Sequence, residues 1–87
     1  MKNIDVEKFV KERDEMLLKC DVNELRKFIN EHKDCYESFF IKATNAASDE
    51  VLEVSLHKMI ANNTNLPSDY IENSIEWLLE RGYSPDF

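Results

Sequence analysis

Glycine and proline are scarce in this sequence, and that scarcity constrains the fold more than any other feature. The 87 residues include one glycine and two prolines. A β protein of this length reverses direction many times and needs turn-forming residues at each reversal. Helical proteins need far fewer, and the helix-favouring residue types Glu, Lys, Leu, Ala and Met are plentiful here. The composition therefore predicts an all-α fold.

Apolar residues recur at helical spacing in five segments, which predict a compact bundle of four to five short helices. The segments are residues 5–19, 21–33, 36–46, 49–61 and 69–81. Asp21, Ser48 and Ser68 stand at expected N-cap positions, and Gly82 suits a left-handed residue that ends the last helix. The fourth segment is apolar over a wide arc, so we expect it at the centre. We expect residues 1–87 to form one helical domain.

Large side chains at the centres of the apolar stripes are expected to form the core. They are Leu25, Phe28, Phe39, Phe40, Leu56, Ile75 and Leu78, and Leu79 is expected to face inwards with them. Truncating a fully buried phenylalanine to alanine typically costs about 3–5 kcal/mol. We therefore expect Phe28 and Phe40 to be essential to so small a core.

The charge balance narrows the classes of partner. Eleven Lys and Arg face eighteen Asp and Glu, which gives a formal net charge of -7. A nucleic-acid-binding protein normally carries a basic patch, so direct binding to DNA or RNA is not expected. An acidic surface maintains solubility and attracts basic proteins. No apolar run resembles a signal peptide or approaches the roughly 20 residues of a membrane span, so we expect a cytoplasmic protein without membrane contact.

Motifs for catalysis are missing from the sequence, and the chain is predicted not to be an enzyme. It has no glycine-rich phosphate loop, no nucleophile elbow and no His-Glu-x-x-His pattern. Ser55 and His57 are two positions apart, which puts them on different faces of a helix. They therefore form no local catalytic pair.

Two thiols and two imidazoles provide the ligand types that zinc prefers, at Cys20, His32, Cys35 and His57. Structural zinc sites usually show two close ligand pairs, and this spacing provides only one, so we expect no metal and no cofactor. His32 is expected to be partly buried near the end of the second helix. Cys20 and Cys35 should lie at opposite ends of that helix, too far apart for a disulfide.

The most unusual surface is predicted on the last helix, where four acidic residues share one side. We call them the acidic ladder: Asp69, Glu72, Glu76 and Glu80. Residues 62–87 contain five acids and one base, so this part of the chain supplies -4 of the net charge. A neighbouring flank consists of Tyr70, Ser74, Trp77 and Arg81. Tyr, Trp and Arg are enriched in binding hot spots.

Two interpretations of this helix remain open. In the functional one, Tyr70, Trp77 and Arg81 anchor a basic protein partner while the acidic ladder steers it. In the structural one, the ladder is simply a solvated face, and Trp77 packs against the first helix or the C-terminal tail.

Three short segments resemble small helical proteins of Gram-positive bacteria, some of them carried on mobile elements. The segments are Asp5-Val6-Glu7-Lys8-Phe9, Leu56-His57-Lys58-Met59-Ile60 and Gly82-Tyr83-Ser84-Pro85. The resemblance implies a bacterial cytosolic protein with an accessory role. That group has no assigned activity, so the resemblance implies no functional residue.

The sequence as a whole favours a non-catalytic protein-interaction module, or an accessory or regulatory one, with its docking face on the last helix. One alternative is an acidic decoy that occupies the basic site of a nucleic-acid-binding protein. A small enzyme is the other alternative. The partner and the oligomeric state are left open.

Overall fold

A computed structural model describes residues 5–86 as five α-helices and one short 3-10 helix. The helices are α1 (Val6–Lys19), α2 (Val22–Glu31), α3 (Ser38–Ala46), α4 (Asp49–Ala61) and α5 (Ser68–Glu80), with the 3-10 helix (Lys33–Cys35) after α2. No strand occurs within residues 5–86, so the predicted all-α bundle is confirmed. No helix in this part of the chain is long and apolar enough to cross a membrane.

Capping side chains account for three of the helix starts. Asp5, Asp21 and Ser48 accept hydrogen bonds from first-turn N–H groups of α1, α2 and α4 at 3.1, 2.7 and 3.3 Å. These bonds satisfy donors that a helix otherwise leaves unpaired. The prediction for Ser68 is wrong, because that residue is already helical and Pro67 precedes it without a side-chain cap.

The end of α5 follows the expected pattern. Gly82 adopts a φ of 79°, the left-handed conformation that glycine tolerates best. The Gly82 and Tyr83 amides donate to the carbonyl oxygens of Leu79 and Leu78 at 3.1 and 2.9 Å. This pair of bonds is the Schellman motif, and it folds Tyr83 back towards the last turn.

The second and third helices are shorter than predicted. α2 ends at Glu31, because His32 leaves the helical conformation with φ −113° and ψ 46°. The 3-10 turn then continues to an extended residue, Tyr36, with φ −129° and ψ 146°. α3 therefore begins at Ser38 rather than at residue 36.

The core is built around α4, which packs against α1, α2 and α5, so its predicted central position is confirmed. Leu66, in the connection between α4 and α5, joins the core although its segment was expected only as a loop. The cluster of buried side chains comprises Met16, Leu17, Leu25, Phe28, Ile29, Leu52, Leu56, Ile60 and Leu66.

The predicted core residues divide into two groups. Leu25, Phe28, Leu56 and Leu78 are buried as expected, and Ile75 is half-buried. Phe39 and Phe40 are instead 69% and 42% exposed, and Leu79 is 59% exposed. The predictions for these three residues are wrong, and so is the expectation that Phe40 is essential to the core.

Polar contacts explain why Phe39 of α3 faces solvent. Arg26 of α2 donates to the carbonyl oxygens of Thr44 and Ala47 at 2.9 and 2.6 Å. Asn30 and Asn45 exchange amide hydrogen bonds at 2.9 and 3.1 Å. These contacts turn the Thr44 side of α3 towards α2, and Thr44 is buried. Phe39 is five positions from Thr44, well around the helix, and therefore points outwards.

Candidate functional site

The acidic ladder lies on the outward side of α5. All four carboxylate side chains are exposed, while Ser74 and Leu78 are buried on the other side of the helix. Glu80 lies 3.8 Å from the Arg81 guanidinium. Within residues 5–86 no ion pair reaches the other three ladder carboxylates. The ladder is thus an exposed acidic surface with little compensation inside the described chain.

The four residues of the neighbouring flank differ in their exposure to solvent. Tyr70 and Arg81, near its two ends, are exposed, with Tyr70 at 38%. Ser74 is only 3% exposed, and Trp77 is half-buried. The middle of the flank therefore faces α4. The contact between α4 and α5 is the most extensive helix contact of the bundle.

Trp77 packs between its own helix and α4. Its ring stacks on His57, with ring centroids 4.0 Å apart and planes 17° apart. The Arg81 guanidinium carbon lies 4.1 Å from the Trp77 ring centroid, and the same side chain donates to the Trp77 carbonyl oxygen at 3.0 Å. One of the two structural roles expected for Trp77 was packing against the first helix. In the structure the Trp77 ring packs against α4 instead.

The environment of His57 favours the neutral form of its imidazole. Burial lowers the pKa of His57 below its usual value; the Glu53 carboxylate acts in the opposite direction, and Arg81 adds to the lowering. A hydrogen bond of 3.0 Å joins His57 Nδ1 to Ser74 Oγ. In the sequence, Ser55 was the one serine tested as a partner for His57. In the structure the partner is Ser74, so the pair joins α4 to α5. Ser74 is buried, so this hydrogen bond lies inside the contact between α4 and α5.

A groove of about 410 Å³ opens beside Trp77, between α4 and the end of α5. It is lined by Glu50, Glu53, Val54, Trp77, Arg81 and Tyr83. The sequence did not single out Glu50 and Glu53. Glu50 and Glu53 are three positions apart, and His57 follows four positions later, so all three lie on one side of α4. This spacing is the sequence signal by which the groove residues of α4 could have been found.

A second groove, of about 500 Å³, runs along α1 on a different part of the surface. Its walls include the apolar side chains of Val6, Val10, Leu18, Leu66 and Pro67 together with polar and charged residues of α1 and the α4–α5 connection. It is the larger of the two, but unlike the α5 groove it is lined by no aromatic ring from the described part of the chain.

The candidate metal ligands occupy separate places in the fold. His32 Nδ1 and Nε2 lie 2.8 Å from the Phe28 carbonyl oxygen and 2.9 Å from Glu12 Oε2. Cys20 is an exposed free thiol at the end of α1, and Cys35 is a partly buried one in the 3-10 helix. Within residues 5–86, no three metal-binding side chains come together as a site.

No protein-family model, curated protein or solved structure matches the chain.

Proposed function

We propose that this chain is a non-catalytic protein-interaction module that binds a basic protein through the outward side of α5. One observation carries the proposal: the acidic ladder is fully outward-facing, and three of its four carboxylates have no ion pair within residues 5–86. Carboxylates four positions apart on a helix repel one another by a few tenths of a kcal/mol per pair. A basic partner relieves that repulsion and is attracted by the same field.

The aromatic flank and the acidic ladder have different roles in the proposed binding. Tyr70 and Arg81 are exposed beside the ladder, and Trp77 is half-buried between them and α4. Interfaces typically combine a few anchoring Tyr, Trp or Arg residues with a charged rim. In the proposal the flank anchors the partner, while Asp69, Glu72, Glu76 and Glu80 steer its approach.

The biological setting of the proposal rests on the sequence resemblance described above. We infer a regulator or accessory factor in the cytoplasm of a Gram-positive bacterium, in some lineages carried by a mobile element. An acidic decoy of a nucleic-acid-binding protein is a special case of this function. In that case the captured partner would be released by added DNA or RNA.

The test compares affinity capture by three forms of the protein from a lysate of the source organism. Glu72→Gln/Glu76→Gln removes two ladder charges, while Glu7→Gln/Glu15→Gln removes two exposed charges from α1. We expect a basic protein to be retained by the wild type and by the α1 variant. The same protein should be lost from the ladder variant and released by salt, since screening weakens exposed charge interactions. Equal retention by all three forms would contradict the proposal.

A further inference from the structure

We propose that the groove between α4 and the end of α5 receives an arginine side chain of the partner. This inference rests on the proposed function and specifies what the partner presents. The groove has a volume of about 410 Å³, within the range of ligand-binding pockets. Its walls combine two carboxylates, two aromatic residues, one aliphatic side chain and the Arg81 guanidinium. The carboxylates outnumber the one cation, so the lining suits a long side chain with a cationic head.

The carboxylates supply the recognition of charge. Glu50 and Glu53 are three positions apart on α4 and line the same groove. Neither has an ion pair within residues 5–86. The groove lining carries these two negative charges against the single positive charge of Arg81, so it remains acidic. A guanidinium has planar, forked donors that suit carboxylate oxygens better than an ammonium does.

Tyr83 supplies the aromatic surface for stacking. The faces of the Trp77 ring are already covered, by His57 at 4.0 Å between ring centroids and by the Arg81 guanidinium carbon at 4.1 Å from the centroid. Trp77 therefore lines the groove without a free face for a second cation. Val54 provides an apolar contact for the methylene groups of an incoming side chain.

The groove is arranged before any partner arrives. The stacking on His57 limits the orientation of Trp77. The bond from the Tyr83 amide to the Leu78 carbonyl oxygen fixes the chain after Gly82. Since the walls are already in place, binding loses little conformational entropy.

The experiment uses the single tryptophan as its reporter, because Trp77 lines the groove. The probes are a capped peptide with several arginines and a matched peptide with citrulline at each arginine. Citrulline keeps the shape of arginine and removes its charge. We expect the arginine peptide to shift the indole resonance and the fluorescence of Trp77, and the citrulline peptide to shift neither.

Two double variants separate the groove from the ladder. Glu50→Gln/Glu53→Gln should weaken binding of the arginine peptide by about tenfold, the loss expected for two surface charge contacts. Glu72→Gln/Glu76→Gln should leave the Trp77 shift in place and reduce affinity less than the groove variant does. The amide spectrum of each variant establishes that it is folded.

Two outcomes would overturn the inference. One is a peptide that shifts the amides of the ladder residues but not Trp77, which leaves the proposed function standing. The other is an arginine peptide bound no more tightly than its citrulline counterpart. Failure of the proposed function is recognised separately, by the equal capture of partners by the ladder and α1 variants.

Discussion

His32 and His57 occupy different environments, and each environment favours a different charge state of the imidazole. Burial opposes the charge of His32, but the hydrogen bonds to Glu12 and to the Phe28 carbonyl, together with the Glu12 and Glu31 charges, outweigh it and raise the pKa of His32. Both partners of the His32 ring accept hydrogen bonds, so the doubly protonated ring satisfies both of them. At His57, burial dominates and lowers the pKa.

The two histidines should therefore titrate on opposite sides of the usual value. Because the folded-state pKa of His32 is raised, its contribution to stability is complete below about pH 6.5 and is lost as the pH rises through the raised pKa. His57 acts in the opposite sense, and its contribution is present above that value and is lost as the pH falls through the lowered pKa. Titration of the imidazole protons by NMR checks both directions.

A matched pair of variants identifies the cause of the His32 shift. Glu12→Gln should bring the pKa of His32 down and leave that of His57 unchanged. Glu7→Gln removes the same charge from an exposed position on α1 and should change neither. Equal pKa values for the two histidines in the wild type would contradict the environments described here.

At the scale of the elements, α3 is attached to the bundle through polar contacts as well as through Ile41, which packs against the core. Arg26 joins α2 to the end of α3 and also pairs with Asp49 at 3.0 Å, next to the start of α4. Phe39 lies on the opposite side and is mostly exposed. Arg26 thus helps to orient a helix whose Phe39 side chain faces solvent.

Replacing Arg26 should consequently destabilise the protein more than removing the Phe39 ring. Arg26→Gln is expected to lower the free energy of unfolding by about 1–3 kcal/mol, since it removes hydrogen bonds from a charged donor. Phe39→Ala should change it by about 0.5 kcal/mol or less, as is usual for exposed positions. Urea unfolding measures both.

The control for this comparison is Lys27→Gln, which removes a charge from the neighbouring position. Lys27 is exposed and pairs at 4.0 Å with Glu31 on its own helix, its one ion pair within residues 5–86. Its replacement should cost about 0.5 kcal/mol or less. A larger loss for Phe39→Ala than for Arg26→Gln would mean that α3 packs through its aromatic side.

The same helix shows where sequence reasoning reaches its limit. The bounds of α4 and the start of α1 follow from capping residues and apolar spacing within each segment. The orientation of α3 does not, because residues 38–46 are apolar on more than one side. Contacts with Arg26 and Asn30, made by residues 18 and 15 positions further along the chain, decide which side is buried.

Part of the candidate site could likewise be predicted from the sequence, and part could not. The acidic ladder could be predicted because all its members belong to one helix, and helical spacing alone puts them on one side. The groove could not be predicted, because Glu50 and Glu53 come from α4 while Trp77 and Tyr83 come from α5 and its end. Only tertiary packing brings these residues together.

For the whole molecule, the net charge is the property that acts over the longest distances. A charge of -7 is carried by a body measuring 43 × 28 × 19 Å. The screening length is about 30 Å at 0.01 M salt and about 8 Å at 0.15 M. At low salt, charges therefore repel one another across most of the molecule, and this repulsion destabilises the compact state more than the expanded unfolded chain.

Salt should accordingly stabilise the fold. The opposing effect is the loss of exposed ion pairs such as Lys19 with Glu24, and each such pair contributes only about 0–1 kcal/mol. Raising NaCl from about 0.01 to 0.15 M should increase the free energy of unfolding by about 1 kcal/mol, the scale of the repulsion along the ladder. Glu72→Gln/Glu76→Gln should gain less from salt, because the variant has less repulsion to screen. Urea midpoints at the two salt concentrations measure the effect. A wild-type midpoint that falls with salt would show that ion pairs outweigh repulsion in this protein.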